Sequence, residues 1–322
     1  MKRGNGRRWF RPVCLSIVLM LLCFGLAAAQ TKISIGTGGT GGVYYPYGGT
    51  MAEIITKFVP GVQATAEVTA ASVENVRLVA AKKVELGLAM NDTVYQAYVG
   101  EGKFKDAKLD CLRTVFQTYP HSYHVITLAK YPIYRIADIK GKRVSVGAPG
   151  SGTELKTSLV LPVLGITYND IKVYRLSFEE TARALKDGVI EVGIWSVAPP
   201  TSSVIDLATT HDIRIIPFTE EEVEKVQKAY PYYVRTVIPK GTYRGQKEDV
   251  LTLGVWTSVV CHKDLPEDLV YKITKAIFEH RDMLIQTHAI AQYTTPENSA
   301  KLSPIPIHPG ALRYYKELGL VK

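Results

Sequence analysis

The sequence predicts an α/β fold with two lobes, and three features of the chain support this prediction. From residue 32 onward, short strand-like stretches alternate with stretches whose apolar residues have helical spacing. One order of elements occurs twice: strand, glycine-rich loop, helix, strand, capped helix, and a strand containing Glu-x-Gly. Two long strand-like runs, residues 111–130 and 250–266, follow the two copies. Alternating strands and helices indicate parallel sheets, and the long runs indicate that the chain crosses twice between the lobes.

The first 29 residues are predicted to be an export signal rather than part of the fold. Five basic residues are followed by an apolar run from Val13 to Ala28, and the segment ends on Ala27-Ala28-Ala29. This order is typical of a secretory signal cleaved after Ala29, and the run is short for a membrane-spanning helix. The pair Arg7-Arg8 leaves twin-arginine export open, although the leucine-rich core favours ordinary secretion. We therefore expect a periplasmic protein.

Charge and cysteine content narrow the class of protein further. Five of the 39 basic residues and none of the 30 acidic residues lie in the predicted signal, so the remaining chain is nearly balanced at 34 basic to 30 acidic residues. No basic cluster indicates a nucleic-acid surface. Only Cys111 and Cys261 remain after cleavage. Export permits a disulfide between them, but we favour two free, buried thiols.

The first copy of the repeated unit begins with a strand at residues 32–36 and a glycine loop. A helix is predicted from about Pro46, because Met51, Ile54, Ile55 and Phe58 have helical spacing. Residues 62–70 alternate as a strand does, and Ser72 is a candidate N-cap for the next helix. The unit ends with a short buried strand at residues 85–90.

The second copy repeats this order from residue 142. After the loop Gly150-Ser151-Gly152-Thr153, a helix is predicted over residues 153–164. A second helix opens with Ser177 and Glu180 at capping-box spacing and stops at Gly188. A strand over residues 191–195 follows. We expect lobe I to comprise residues 30–125 and 256–322, with a helix from Pro266 to His280, and lobe II to comprise residues 126–255.

The first loop contains Gly36-x-Gly38-x-x-Gly41, which has the letters of a dinucleotide-binding turn. That turn needs a helix that begins on the glycines, whereas the predicted helix begins only near Pro46, and an exported protein is removed from the nicotinamide pool. No cofactor is therefore expected. Instead, the backbone N–H groups of the two glycine loops are predicted to face one cleft and to favour an anionic group such as a carboxylate.

Catalytic and metal-binding patterns are not found in the sequence. Ser151 lacks the spacing of a nucleophile elbow. His121 and His124 are three residues apart in a predicted strand, which puts them on opposite faces and argues against a metal site. The chain is therefore predicted not to be an enzyme. Trp195, at the end of a strand, is predicted to be an aromatic wall of the cleft.

Six segments together resemble one family: "IGTGGTGGVYYPYGG", "SVENVRLV", "ELGLAMNDTVYQA", "DIKGKRVSVGAPGSGT", "IPKGTYRGQKEDVLTLGV" and "DLPEDLVYKITKAIFE". With the ending "PIHPGALRYYKELGL", they resemble the TAXI-type solute receptors of TRAP transporters. The resemblance implies a two-lobed periplasmic binding protein fold, type II-like, with two crossover hinge strands. It also implies capture of a small solute for a TRAP-type membrane permease driven by an ion gradient.

The resemblance also implies which residues bind the solute. These residues are Thr40, Gly41, Gly42, Val43, Tyr44, Tyr45, Ser72, Asn75, Asn91, Asp92, Tyr119, Ser151, Gly152 and Thr153. Residues 194–203, including Trp195, depart from the family pattern, which leaves the shape of that wall open. The expected solute is glutamate, glutamine or a related dicarboxylate, and Asp92 would bind an ammonium group. A monomer is expected, and a sensor component or an exported enzyme on the same fold are the alternatives.

Overall fold

The computed structural model describes Met1 and residues 30–322, so the predicted export signal lies outside the described residues. The strands are β1 (Thr31–Gly36), β2 (Val62–Glu67), β3 (Leu86–Met90), β4 (Leu112–Leu128), β5 (Arg143–Ser145), β6 (Lys172–Tyr174), β7 (Val192–Val197), β8 (Ile213–Ile215), β9 (Val234–Ile238) and β10 (Val250–His262). The helices are α1 (Tyr44–Phe58), α2 (Ser72–Ala80), α3 (Asn91–Val99), α4 (Gly152–Val163), α5 (Phe178–Lys186), α6 (Ser202–Thr210), α7 (Glu220–Ala229), α8 (Glu267–Glu279), α9 (Arg281–Thr287), α10 (Pro296–Lys301) and α11 (Pro309–Glu317).

The predicted repeat is confirmed by the strand order. In lobe I, β1 lies between β2 and β3 and is parallel to both. In lobe II, β5 lies between β6 and β7 and is likewise parallel to both. Each copy of the unit therefore builds the same three-stranded parallel sheet, with the strand that precedes the glycine loop in the middle.

The two long strands connect these sheets. Strand β4 is antiparallel to β10 over residues 112–122 and to β7 over residues 122–127. Strand β10 is antiparallel to β9 over residues 250–254 and to β3 over residues 257–261. Both long strands thus exchange neighbours midway, as expected for two crossover strands. Helices α8, α9 and α11 pack in lobe I, where α8 and α9 contact α1.

The Glu-x-Gly sequence shared by the two units has the same structural role in each. Glu85 accepts a hydrogen bond from the backbone N–H of Ser34 at 2.7 Å, and Glu191 accepts one from Arg143 at 3.1 Å. A Cβ added at Gly87 of lobe I would lie 3.2 Å from Asn75 Cβ, and a Cβ added at Gly193 of lobe II would lie 2.5 Å from Thr181 Cγ2. Glycine is required because a helix packs directly on each strand.

Two local predictions need correction. Helix α1 begins at Tyr44 rather than at about Pro46; Pro46 fits there because N–H groups of the first turn need no intrahelical partner. Ser72 is the first residue of α2 and not its N-cap, which is Ala71. In contrast, the capping box of Ser177 and Glu180 is confirmed.

The two cysteines of the described residues are not linked by a disulfide. Cys261 is buried, Cys111 is half-buried, and both are free thiols. Within residues 30–322, no helix combines the length and the apolar character needed to cross a bilayer.

Candidate functional site

A cavity lies between the two lobes, beyond the carboxyl ends of β1, β3, β5 and β7. It holds about 620 Å³ of space between atoms, part of it continuous with solvent. The lining residues are Gly38, Gly39, Gly42, Val43, Tyr44, Thr69, Ala70, Ala71, Ser72, Met90, His121, Ala148, Ser151, Gly152, Thr153, Ser177, Phe178, Ser196 and Val197. Ligands of open α/β sheets bind at this edge of the strands, so the cavity is the candidate site.

Four helices begin at the wall of this cavity. Their first residues are Tyr44 of α1, Ser72 of α2, Gly152 of α4 and Phe178 of α5. The N-terminus of a helix has unpaired N–H groups and a partial positive charge. None of the residues that line the cavity in the described part of the chain is acidic, lysine or arginine. The helix ends therefore favour a negatively charged group, whereas the carboxylate of Glu179, which binds the first loop beside the lining, acts against it.

Three hydroxyl groups of lobe II at the cavity accept hydrogen bonds from backbone N–H groups. Ser151 Oγ accepts a hydrogen bond from Glu154 N at 3.1 Å, Thr153 Oγ1 accepts one from Ser196 N at 3.2 Å, and Ser177 Oγ accepts one from Glu180 N at 3.3 Å. Each oxygen thus already receives a backbone proton. The O–H groups of Ser151 and Thr153 have no acceptor within residues 30–322, whereas the carboxylate of Glu180 lies beside the O–H group of Ser177. Hydroxyls without an acceptor present protons to a ligand.

Seven of the residues predicted to bind solute line the cavity: Gly42, Val43, Tyr44, Ser72, Ser151, Gly152 and Thr153. Ser72 Oγ accepts a hydrogen bond from Met90 N at 3.1 Å. The hydroxyl of Tyr44 lies 3.3 Å from that of Thr257, and burial raises its pKa above the ordinary range. The two glycine loops therefore meet at one cavity, as the repeat predicts. Whether these residues contact a solute stays a prediction.

Thr40 and Gly41 lie beside the cavity and are bound by lobe II. The carboxylate of Glu179 accepts hydrogen bonds from Thr40 Oγ1 at 2.7 Å and from Gly41 N. The carbonyl of Gly41 accepts a hydrogen bond from Thr201 Oγ1 at 2.9 Å. The first loop therefore does bind a carboxylate, and that carboxylate belongs to the protein.

Asn75 and Asn91 are buried in hydrogen-bond networks away from the cavity lining. The side-chain amide of Asn75 donates to the carbonyls of Gly36, Thr37 and Leu88 at 3.1, 2.7 and 2.8 Å. Asn91 donates to Gln117 at 2.9 Å and accepts from Ser258 at 2.6 Å. The structure thus gives both amides a role in holding strands and helices together.

Asp92 is also buried outside the cavity lining. Its carboxylate accepts hydrogen bonds from Tyr233 Oη at 2.9 Å and from Thr93 N at 2.6 Å. Burial raises the pKa of Asp92, while the nearby ammonium of Lys156 opposes that shift. Burial in turn lowers the pKa of Lys156 to about 7. Since Tyr233 belongs to lobe II, this group joins the lobes.

The remaining predicted residues also lie outside the lining. Tyr45 is 37% exposed, and Tyr119 is fully buried. Trp195 is fully buried too, and its Nε1 donates to Ser203 Oγ at 3.2 Å. The cavity is lined instead by the aromatic side chains of Tyr44 and Phe178, and the ring centroid of Phe178 lies 6.3 Å from that of Trp195. The strand period identifies two faces, but it does not tell which one a helix covers.

Several lining residues were not predicted from the sequence. Ser177 and Phe178 begin a helix that the capping box did predict, and its place at the cavity could have been inferred from the matching position of Ser72 in the repeat. His121 lies on β4, which crosses between the lobes, and Ser196 lies on the neighbouring strand β7, which ends at the cleft. Their signal was weak, because nothing in a strand sequence indicates the packing of the other lobe.

The lobes contact each other around the cavity. Glu74 N of α2 donates to the carbonyl of Gly150 at 3.1 Å. On another side, Lys103 of lobe I forms an ion pair with the buried carboxylate of Glu154. Together with the contacts of Glu179 and Asp92, these bonds hold the lobes in a closed arrangement.

Comparison with solved structures agrees with this architecture. PhnD1 from Prochlorococcus marinus (MIT 9301), in complex with methylphosphonate, has a TM-score of 0.56 at 10% identity, over 91% of this chain and 100% of that one. A Listeria monocytogenes protein assigned to L-cystine ABC transport has a TM-score of 0.51 at 16% identity, over 82% and 98%. XAC2383 from Xanthomonas citri, bound to ATP, has a TM-score of 0.51 at 9% identity, over 89% and 95%.

These likenesses show the fold alone, which is that of the two-lobed periplasmic binding proteins. The predicted fold class is thereby confirmed. The sequence also matches the model of the NMT1-like family, over residues 35–319. Since this match spans most of the chain, the protein belongs to the NMT1-like family.

Proposed function

We propose that the protein is an exported solute receptor that binds a small anionic solute between its lobes and delivers it to a membrane permease. Glutamate, glutamine and related dicarboxylates are the solutes that fit the proposal. The receptor is a periplasmic monomer, without a cofactor and without catalytic activity. Its lobes comprise residues 30–125 with 256–322, and residues 126–255; the exchange of strand neighbours near residues 122 and 255 supports these limits.

The observation that supports an anionic solute is the set of donors at the cavity. Four helix N-termini and the O–H groups of Ser151, Thr153 and Ser177 face a space that no charged side chain of the described residues lines. A buried anion must exchange water for such donors, since an unpaired buried charge is costly. Fixed backbone and hydroxyl donors bind it without the entropy loss of ordering long side chains.

Lobe closure is the mechanism of binding. The donors come from both lobes, so a solute forms its full set of hydrogen bonds only when the lobes are closed. A ligand shifts an open–closed equilibrium by its difference in affinity for the two states. Contacts such as those of Glu179 with Thr40 and Gly41 add to the stability of the closed state.

The partner is proposed to be a TRAP-type permease, on the resemblance of the sequence to TAXI-type receptors. An ABC-type permease is the second candidate, since the Listeria protein of the same fold is assigned to ABC transport. Solute uptake distinguishes the two candidates, measured with this receptor and membrane vesicles that contain the permease encoded by a neighbouring gene. Uptake driven by an ion gradient without ATP supports the TRAP-type partner, and uptake that requires ATP contradicts it.

Thermal unfolding with a panel of solutes tests the proposed function. The refolded protein is heated with amino acids, dicarboxylates, phosphonates, sulfonates, sugars and polyamines. A ligand that binds only the folded state raises the midpoint by mass action. We expect glutamate or a dicarboxylate to raise it, and the double variant Ser151→Ala/Ser177→Ala to lose most of that rise. Ser158→Ala, on the same helix α4 but outside the cavity, serves as the control.

Other outcomes of the panel would reject parts of the proposal. A rise with sugars or polyamines alone would contradict the anionic solute and leave the receptor. A rise with phosphonates or sulfonates alone would contradict the carboxylate class. Chemical turnover of a bound solute would favour an exported enzyme, and a gene for a sensor kinase beside this one would favour a sensor component.

A further inference from the structure

One buried nitrogen atom beside the cavity has no hydrogen-bond partner among residues 30–322. His121 lies on β4 where the strand passes between the lobes, and its ring lines the cavity while only 3% exposed. Its Nε2 atom is buried and makes no hydrogen bond within residues 30–322. Buried polar atoms of native proteins are nearly always paired, so an unpaired one beside a cavity of ligand size indicates contact with the ligand.

The hydrogen bonds of the ring fix which nitrogen accepts. His121 Nδ1 lies 3.0 Å from the carbonyl oxygen of Ser196. A carbonyl oxygen only accepts, so Nδ1 holds the proton and Nε2 presents a lone pair in the neutral ring. Burial, together with the smaller effect of the positive charge of Lys156, lowers the pKa of His121 to about 3. The ring is therefore neutral near pH 7.

The ring is also held in position by its neighbours. Its centroid lies 5.0 Å from that of Tyr44 and 5.5 Å from that of Tyr119. With Nδ1 bonded to Ser196, a flip of the ring would break that bond. The acceptor at Nε2 is thus preorganised, which lowers the entropy loss when a ligand binds.

We propose that His121 Nε2 accepts a hydrogen bond from an N–H or O–H group of the bound solute, so that the receptor selects anionic solutes that also have such a donor. This inference rests on the proposed function, because it assigns a second recognition point of the same cavity. The hydroxyls of Ser151, Thr153 and Ser177 bind the anionic group, and His121 recognises the donor.

Four solutes that differ at one carbon atom test this selectivity. L-Glutamate, L-2-hydroxyglutarate, 2-oxoglutarate and glutarate share two carboxylates and differ at C2. We expect the amino or the hydroxy acid to bind about 10- to 100-fold more tightly than the keto acid and glutarate. In His121→Phe this ratio falls to about 1, and His121→Gln, which can restore an acceptor, recovers part of it.

His124 on the same strand provides the matched control. It is also fully buried, but its Nε2 is paired with Tyr243 Oη at 3.1 Å and it does not line the cavity. His124→Phe should keep the preference of the wild-type protein. The inference is overturned if the keto acid binds as tightly as the hydroxy acid, or if His121→Phe keeps the preference.

Nitrogen NMR of the imidazole rings tests the inference without any solute. We expect His121 to have its proton on Nδ1 and none on Nε2 between pH 6 and pH 8. A proton on Nε2 would overturn the inference whatever the receptor binds. If none of the four solutes binds, the proposed dicarboxylate class fails, whereas the proton position still decides the role of His121.

Discussion

The two glycine loops come from equivalent positions of the repeat and meet at one cavity, yet they bind different partners. The first loop, residues 36–42, has its Thr40 and Gly41 bound by the carboxylate of Glu179 from lobe II. In the second loop, residues 147–153, the carbonyl of Gly150 accepts a hydrogen bond from Glu74 N of lobe I. Each loop thus contacts the start of the equivalent helix in the other lobe, α5 or α2.

The two glutamates occupy matching places in the repeat but use different atoms. Glu179 presents its carboxylate to the first loop, whereas the carboxylate of Glu74 accepts a hydrogen bond from Ala70 N in its own lobe. The donors of Thr40 and Gly41 are therefore satisfied by the protein, and the hydroxyls of Ser151 and Thr153 remain available to a ligand. The comparison teaches that both loops line the cavity and contact the opposite lobe, but only the first has side-chain and backbone donors bound by a carboxylate of the protein.

The largest expected effect is a loss of folding stability, caused by substitutions in α2 and α5 where these helices pack on the glycines of β3 and β7. Asn75→Ala removes the amide that donates to the buried carbonyls of Gly36, Thr37 and Leu88, of which, within residues 30–322, only that of Thr37 keeps a side-chain donor, Thr69 Oγ1. We expect the free energy of unfolding to fall by about 3 kcal/mol. Thr181→Ala removes one hydrogen bond to Ser145 and should cost about 1 kcal/mol. Urea unfolding measures both. Equal losses would contradict the assignment of Asn75 to structure rather than to binding.

The pH dependence of the free energy of unfolding tests whether water is excluded from His121 on β4, at the cavity wall. The pKa of His121 is lowered to about 3 in the folded protein, so below the ordinary value of about 6.5 the unfolded state binds a proton that the folded state does not. Stability due to this group is therefore complete above pH 6.5 and is lost as the pH falls. Between pH 6.5 and pH 5, we expect His121→Phe to lose about 2 kcal/mol less than the wild-type protein. Parallel curves would indicate a hydrated cavity wall.

The roles of the two loops are compared directly by Ser151→Ala and Thr40→Ala. We expect the first to weaken binding of L-glutamate about tenfold, which corresponds to one hydrogen bond of about 1.4 kcal/mol. It should also cost about 1 kcal/mol of stability, because Ser151 caps α4. Thr40→Ala should weaken binding less than about threefold, since its hydroxyl bonds to Glu179. Titration calorimetry gives both constants, and the reverse order would exchange the roles of the loops.

The smallest expected effect is that of Glu179→Gln on closure. The variant keeps an oxygen for Thr40 and Gly41 but loses the charge, and neutral hydrogen bonds are about half as strong. We expect affinity for L-glutamate to fall about threefold, and the radius of gyration of the ligand-free protein to rise in X-ray scattering. Glu222→Gln, whose carboxylate accepts a hydrogen bond from Thr219 N in a capping box of lobe II outside the cavity lining, should change neither quantity.

Much of the fold was predictable because it depends on local patterns. Apolar spacing, the capping box of Ser177 and Glu180, and the two Glu-x-Gly strands located most elements to within a few residues. The order of elements also predicted the parallel sheets and the two crossover strands, since short connections allow few topologies.

The candidate site was predictable only in part. The glycine loops and Ser72 could be placed at the cavity, because loops after parallel strands meet at one edge of a sheet. The roles of Asn75 and Asn91 could not be predicted, because a polar side chain in the first turn of a helix has the same sequence pattern whether it binds a ligand or a neighbouring group of the protein. Trp195 was predicted at the cavity wall but is fully buried outside the lining, and Phe178, about which no prediction was made, lines the cavity.

By itself, the sequence determined the repeated unit, its glycine loops, and the donors they present, because these follow from backbone geometry and nearest neighbours along the chain. Only the tertiary structure decided which donors remain available. Glu179 reaches Thr40 from 139 positions away along the chain, and the packing of Tyr44 and Ser196 around the ring leaves His121 Nε2 without a hydrogen bond within residues 30–322. Such long-range pairings depend on how the lobes close, and no local pattern encodes that.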